Sequence, residues 1–231
     1  MKTSLLLFLL ILFASSAIAQ QPDEVSPDDG RLYIGAGITT IPYHIYYKER
    51  KNTGLVRSGY FTPITIALRY ELSERASVQV SIGYGGDTHE IEGIGGTFDN
   101  PVHFTARSRT NAIAFPVSGQ FILLNAFKRF PVYATASMIP VFGTTKASVT
   151  ENSIVVSDTK DKGMDIFAIA GLGGRYKISN RFTGYLEYYF FKKNLTGGNS
   201  MHYDWEQFAT RSRRIYKSLA LGVNYRLQKV E

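Results

Sequence analysis

The chain contains 231 residues, carries a formal net charge of +7 and has no cysteine. Its length fits one large β domain better than two domains. The lack of cysteine excludes a disulfide framework and a lipid-modified N-terminal cysteine, so stability must come from backbone pairing and packing.

The N-terminus predicts an export signal over residues 1–19. Lys2 provides the charged start, residues 5–14 form an uncharged apolar run, and Ala17 and Ala19 give a small-x-small cleavage pattern. The apolar run is shorter than the roughly 20 residues that span a bilayer, which argues against a membrane anchor. Because an exported basic chain meets anionic lipid surfaces first, nucleic acid is not expected as a partner.

The rest of the chain divides into a short polar lead-in and one β domain. Residues 20–30 are acidic and turn-prone, and they predict a flexible segment. The domain is expected over residues 31–231, where apolar residues alternate with small or polar ones, because a period of two is that of a β-strand. Eight strands are predicted, at residues 31–46, 58–72, 75–85, 103–123, 130–142, 164–178, 181–191 and 214–227.

The connections between these strands alternate in length. Three are short, at residues 73–74, 124–129 and 179–180, and four are long, at residues 48–57, 86–102, 144–163 and 192–213. Long connections fall only at every second position along the chain. This order is typical of an up-and-down antiparallel barrel, with tight turns at one rim and free loops at the other.

The two faces of the strands indicate which side meets lipid. The polar parity carries small or neutral groups such as Ser77 and Ser81, whereas the outer surface of a soluble barrel would be rich in Lys and Glu. The opposite parity is bulky and apolar, as in Val78, Val80 and Ile82, and it fits lipid tails. We therefore predict an all-β fold, an eight-stranded antiparallel up-and-down transmembrane β-barrel, with a soluble lipocalin-like carrier as the alternative.

From residue 31 to residue 227 this pattern resembles the small outer-membrane β-barrel family of the OmpA and OmpX type, which includes porin-like barrel domains of Bacteroidetes. Members end on an aromatic residue that the barrel-assembly machinery reads, and residues 219–227, with Tyr225, are similar. The resemblance implies the outer membrane of a Gram-negative cell, reached after export, and the assembly machinery as a partner. The chain departs from the family in continuing past Tyr225 to Glu231.

A small set of charged residues falls on the inward parity of the predicted barrel. An eight-stranded barrel is only wide enough for side chains to fill, so charges gathered in its lower part must pair with one another. Two interpretations stay open: a structural network that closes the barrel, or a gate that opens a narrow ion path. The cluster consists of Arg69, Glu71, Arg175, Lys177, Glu187 and Arg226.

Cations near the long-loop rim are candidate contacts for the phosphates of lipopolysaccharide, which would anchor the barrel among outer-membrane lipids. Charge that merely keeps the loops soluble explains them equally well. A protein partner at the surface is a further expectation without a defined site. The candidate contacts are Arg50, Lys51, Arg107, Arg109, Arg213 and Arg214.

No catalytic or metal-binding arrangement has the required spacing, so neither an enzyme nor a cofactor is predicted. His202, with Asp204 and Glu206, is the best candidate for a lipid-modifying site, but solvated loop residues explain this group better. The sequence therefore predicts a structural or interaction protein that displays four long loops. A narrow channel, a lipid-modifying enzyme and a soluble carrier follow as alternatives.

Overall fold

The computed structural model describes residues 31–45, 47, 59–97, 100–126, 130–196 and 210–227. The predicted signal peptide, residues 1–19, and the acidic segment, residues 20–30, lie outside these residues. None of the helices in the described ranges is long and apolar enough to cross a membrane.

Within the described residues the chain forms eleven strands and one short helix, α1, at Arg211–Tyr216. Period-two alternation runs through nearly the whole domain, and this pattern favours strands over helices. The strands are β1 (Leu32–Thr39), β2 (Tyr43–His44), β3 (Tyr60–Phe61), β4 (Ile64–Glu71), β5 (Ala76–Thr97), β6 (Asn100–Ala114), β7 (Val117–Ala126), β8 (Phe130–Glu151), β9 (Ile154–Lys177), β10 (Phe182–Asn194) and β11 (Leu219–Arg226).

The strands close into a ring of eight barrel positions, here called staves, each formed by one strand or by two strands in line. Each stave pairs antiparallel with its neighbours in sequence, and β1 closes the ring by pairing with both β4 and β11. Strands β6 and β7 form one stave, interrupted at Pro116, which has no backbone N–H to continue the ladder. The predicted eight-stranded up-and-down barrel is confirmed.

The faces of the staves follow the predicted parity. Apolar side chains cover the outside, and Ile64 and Ile66 on β4 are 65% and 58% exposed. Small and polar groups such as Ser81, Ser118 and Ser137 are buried on the inside. An outer surface this apolar fits lipid and is poorly placed in water.

Two of the four predicted long loops are β-structure. Of the stretches predicted as loops, residues 86–97 and 100–102 extend β5 and β6, and residues 144–151 and 154–163 extend β8 and β9, so the prediction of long loops there is wrong. They pair as a four-stranded antiparallel sheet beyond the barrel rim, here called the upper sheet, formed by residues 86–97, 100–111, 144–151 and 154–162. The polar, glycine-rich composition of these stretches predicts loops, although they form a hydrogen-bonded ladder with only a small apolar cluster of Ala106, Ala147 and Val149.

The ends of the first and last predicted strands also differ from expectation. Strand β1 ends at Thr39 rather than at residue 46, and the last strand begins at Leu219, because Arg214 lies in α1. The short turns at residues 73–74 and 179–180 are present, each with a serine hydroxyl, of Ser73 and Ser179, accepting backbone N–H bonds. We call the rim with these turns the lower rim and the opposite rim the upper rim.

Candidate functional site

The upper half of the lumen is filled by chain that leaves β1 and turns inward. Strands β2 and β3 pair Tyr43 with Phe61, and the backbone N–H of Ile45 donates to the carbonyl of Gly59 at 2.9 Å. We call residues 41–45, 47 and 59–61 the plug. Ile41, Tyr43, Ile45, Tyr47 and Phe61 are all at most 5% exposed.

The plug packs against an apolar stretch of the inner wall. The ring of Tyr43 lies 5.2 Å from the ring of Phe167 on β9, measured between centroids, and 5.4 Å from the ring of Phe61. Other wall residues complete one continuous buried cluster with the plug, namely Ala112, Ala114, Ile139, Val141, Ile169 and Tyr189. The upper lumen is therefore a small hydrophobic core.

Two glycines in the wall make room for this plug. A Cβ at Gly143 would overlap Cδ1 of Ile45, and a Cβ at Gly163 would lie 2.9 Å from Cγ2 of the same side chain. Both positions are inward-facing in their strands, so any larger residue would push into the lumen. The wall and Ile45 are complementary in shape.

A short chain of hydroxyl groups ties the plug to the wall. The hydroxyl groups of Tyr47 and Thr145 lie 2.7 Å apart, as do those of Thr145 and Thr110. The backbone N–H of Gly59 donates to Thr110 at 3.0 Å. Gly59 has φ +84°, and a Cβ there would lie 2.7 Å from the carbonyl oxygen of Ile45, so only glycine allows this approach.

The lower half of the lumen contains a polar network built by barrel strands. Nη2 of Arg69 lies 3.5 Å from Oε1 of Glu71, and Nη1 of Arg175 lies 4.0 Å from the same oxygen. Arg69 also stacks over the ring of Tyr33 at 4.1 Å and Arg175 over the ring of Tyr133 at 4.6 Å. Both guanidinium groups are thus held by a carboxylate and an aromatic face.

Glu187 is the second anchor of this network. Its Oε1 accepts hydrogen bonds from Tyr133 at 2.9 Å and Gln120 at 3.1 Å, and its Oε2 accepts one from Tyr189 at 2.6 Å. Gln120 in turn accepts a short hydrogen bond from Arg175. Glu187 and Arg175 are therefore joined through one shared amide, with the carboxylate 5% exposed.

The sequence matches the outer membrane protein beta-barrel domain family over residues 5–226. The chain belongs to this family. Its location is accordingly the outer membrane, which agrees with the apolar exterior of the barrel.

Solved structures similar to this outer-membrane barrel include three proteins of low sequence identity. Ail, the attachment invasion locus protein of Yersinia pestis, solved with the heparin analogue sucrose octasulfate, is 12% identical, with 85% of this chain and 96% of that chain covered and a TM-score of 0.39. A major outer membrane protein from Thermus thermophilus is 13% identical, covering 85% and 98%, with a TM-score of 0.42. CarO from Acinetobacter baumannii is 13% identical, covering 86% and 98%, with a TM-score of 0.30. No curated protein matches the sequence.

The structure places four of the six inward charges of this outer-membrane barrel in one network and the other two at the lower rim. Arg69, Glu71 and Arg175 form the paired centre, and Glu187 lies one hydrogen-bonded step deeper. Lys177 and Arg226 instead line a cavity of about 290 Å³ at the lower rim, which Arg69, Glu71 and Arg175 also line. Sequence analysis missed the neutral partners Tyr33, Ser77, Gln120, Tyr133 and Tyr189, although all five lie on the inward parity.

The candidate lipid contacts lie in different parts of the structure. Arg50 and Lys51 lie outside the described residues, as does the group of His202, Asp204 and Glu206. Arg213 and Arg214 belong to α1. Arg107 and Arg109 lie exposed on the outer face of the upper sheet, and Arg107 pairs with Glu90 at 3.9 Å. Among the described residues, no group of His, Asp and Glu is arranged to hold a metal ion.

Proposed function

We propose that this barrel is a closed structural and interaction protein of the outer membrane, which holds the upper sheet outside the cell as its contact surface. The proposal gives the lumen a stabilising role and gives recognition to the projecting strands. It assigns the protein no catalytic role and no cofactor.

The filled lumen is the observation that supports this proposal most strongly. The plug occupies the upper half with apolar side chains, and the network of Arg69, Arg175 and Glu187 occupies the lower half. An ion crossing the barrel would have to displace both. A barrel of this width holds side chains rather than a water-filled path.

The upper sheet supports the interaction role because it is an ordered surface rather than a set of loops. Strands β8 and β9 remain paired as far as Glu151 and Ile154, well past the last apolar row of the barrel wall. Backbone pairing fixes the positions of its outward side chains. A rigid surface binds a partner with less loss of entropy than a mobile loop.

Single cysteines test the proposed orientation, because the chain has none of its own. Ser157→Cys places a thiol on the exposed part of β9 in the upper sheet, and Asn180→Cys places one in a turn of the lower rim. A maleimide that cannot cross membranes should label the first variant in intact cells and the second only after the outer membrane is permeabilised. The reverse pattern would refute the proposal.

A narrow channel is the second candidate, favoured by the lower cavity. In the described part of the chain, Nε of Arg69 and Nε of Arg175 are buried without a hydrogen-bond partner, so this region is not fully satisfied. If the barrel conducts, current steps in planar bilayers should change in Arg69→Ala and Glu187→Ala. Gly119→Leu is a control, because a Cβ at Gly119 meets no atom within 4 Å. A closed barrel gives no discrete steps in the wild type.

A further inference from the structure

The outer face of the upper sheet changes character row by row above the membrane belt. Register pairs Tyr84, Ile113, Phe142 and Met164 in one cross-strand row, and all four side chains are at least 43% exposed. The next row on the same face is Gly86, Asn111, Thr144 and Lys162, and the row beyond it is Thr88, Arg109, Lys146 and Lys160. The wall thus passes from an apolar row, through a row in which Lys162 is the one charged residue, to a row with three cations.

The cationic row sets three like charges directly opposite one another. Arg109 faces Lys146 and Lys146 faces Lys160, and all three side chains are exposed. Like charges in directly opposed positions destabilise a sheet, since their Cβ atoms lie only about 5 Å apart. In the described ranges no carboxylate forms a salt bridge with any of the three, whereas Arg107 in the following row pairs with Glu90. An external anion beside the row would relieve this repulsion.

Its height above the belt matches the headgroup layer of a bilayer. Lys162 lies two residues beyond the last apolar row and Lys160 four residues beyond it, which is about 7 and 13 Å along the strand. The distance along the membrane normal is smaller because barrel strands tilt by roughly 40°. Long cationic side chains at this level reach phosphate oxygens.

A groove spans the apolar row and the row of Asn111, Thr144 and Lys162, directly below the cationic row. It has a volume of about 560 Å³ and is lined by Tyr84, Ile113, Phe142 and Met164 on the apolar side and by Thr144 and Lys162 on the polar side. The hydroxyl of Tyr84 donates to Oδ1 of Asn111 at 3.0 Å, so this hydrogen bond joins the apolar row to the next row. A groove with an apolar floor and cations above it is complementary to a lipid rather than to a soluble anion.

We propose that this wall binds a membrane lipid with a net negative phosphate headgroup, whose acyl chain lies in the groove and whose phosphate contacts Arg109, Lys146, Lys160 and Lys162. The inference deepens the proposed interaction role and rests on the upper sheet lying outside the membrane. Of the candidate contacts from the sequence it uses Arg109, and it adds three lysines that sequence analysis did not select. Their common row appears only once the strands are in register.

Lipid titration of the folded, full-length protein in detergent, followed by native mass spectrometry, tests the proposal. The probes are phosphatidylglycerol and phosphatidylcholine with the same acyl chains. The variant Arg109→Gln/Lys160→Gln should bind phosphatidylglycerol about thirtyfold more weakly, given the usual contribution of each cation near a lipid surface. Arg107→Gln/Lys193→Gln removes two exposed cations from the same end of the barrel and should lose much less affinity.

Further measurements distinguish binding of a lipid from binding of a free anion. Thr144→Trp fills the groove without changing charge and should also weaken phosphatidylglycerol binding. Equal losses in the two charge variants, or equal binding of the two lipids by the wild type, would overturn the proposal. If inorganic phosphate displaces phosphatidylglycerol more strongly than chloride does at equal ionic strength, the cationic row binds a free anion instead, and the proposal is overturned. Since binding is measured in detergent, it is independent of the labelling result on orientation.

Discussion

In the lower half of the lumen the filling side chains come from the barrel strands themselves, whereas in the upper half they come from a connection that folds inward. The lower network is polar and joins strands across the barrel, as Glu187 on β10 does with Gln120 on β7 and Tyr133 on β8. The plug is apolar, and wall glycines create its space. We therefore expect the lower filling to contribute to the stability of the barrel itself, and the upper filling to behave as a docked segment that releases separately.

Removal of the Glu187 carboxylate should have the largest effect on stability. Glu187→Ala leaves Gln120, Tyr133 and Tyr189 without their acceptor and removes a negative charge near Arg175, which should destabilise the barrel by about 3–5 kcal/mol. The urea concentration at which the folded band disappears in cold electrophoresis measures this change. Glu92→Ala removes an exposed carboxylate from the upper sheet and should shift it little. Equal shifts would mean that the network does not hold the staves together.

Truncation of the central plug residue should affect only the upper half. Ile45 is fully buried, and Ile45→Ala should weaken docking of the plug by about 2–3 kcal/mol. Hydrogen exchange at the Ile45 N–H, which donates to Gly59, should accelerate by roughly 30-fold or more, because 1.4 kcal/mol is a factor of ten. Protection in β10 should not change.

Ile94→Ala is the matched control, since Ile94 is 67% exposed on the upper sheet. If Ile45→Ala lowers the protection of β10 as much as that of Ile45, plug and barrel unfold together. The distinction between the two halves would then be wrong.

These two halves also differ in how well the sequence predicts them. Parity along the strands selected Arg69, Glu71, Arg175 and Glu187, because inward residues of a barrel strand recur at every second position. The same parity places Tyr33, Tyr133 and Tyr189 inward, but they were not selected because only charged residues were considered. It does not reveal which inward residues become neighbours, since this depends on register across strands distant in sequence.

The plug was missed because its sequence alternates with the same period as a strand. Ile41, Tyr43, Ile45 and Tyr47 alternate with a period of two and so extended the predicted first strand to residue 46. Pro42 argues against a continuous strand here, because proline cannot donate to a strand ladder and is rare within central strands. The upper sheet was missed for the converse reason. Its apolar residues are few, with Ala106, Ala147 and Val149 as its one small hydrophobic cluster among the described residues, so its strands were interpreted as polar loops.

The smallest expected effect lies at the tip of the β8–β9 hairpin, far from both halves of the lumen. Asn152 and Ser153 have φ values of 45° and 69°, as a two-residue turn of the I′ type requires. Ser153→Gly should stabilise the hairpin tip by about 0.5–1 kcal/mol, because glycine adopts this conformation without steric cost. Exchange of the Asn152 N–H, which donates to the carbonyl of His103, should slow by roughly threefold.

The matched change Ser157→Gly should have the opposite sign, because Ser157 lies within β9, where glycine weakens a strand. Neither change should move the urea midpoint of the barrel, since the upper sheet extends beyond the network that joins the staves. If Ser153→Gly raises that midpoint, the upper sheet and the barrel unfold as one unit. The sheet would then contribute to the stability of the barrel as well as provide its contact surface.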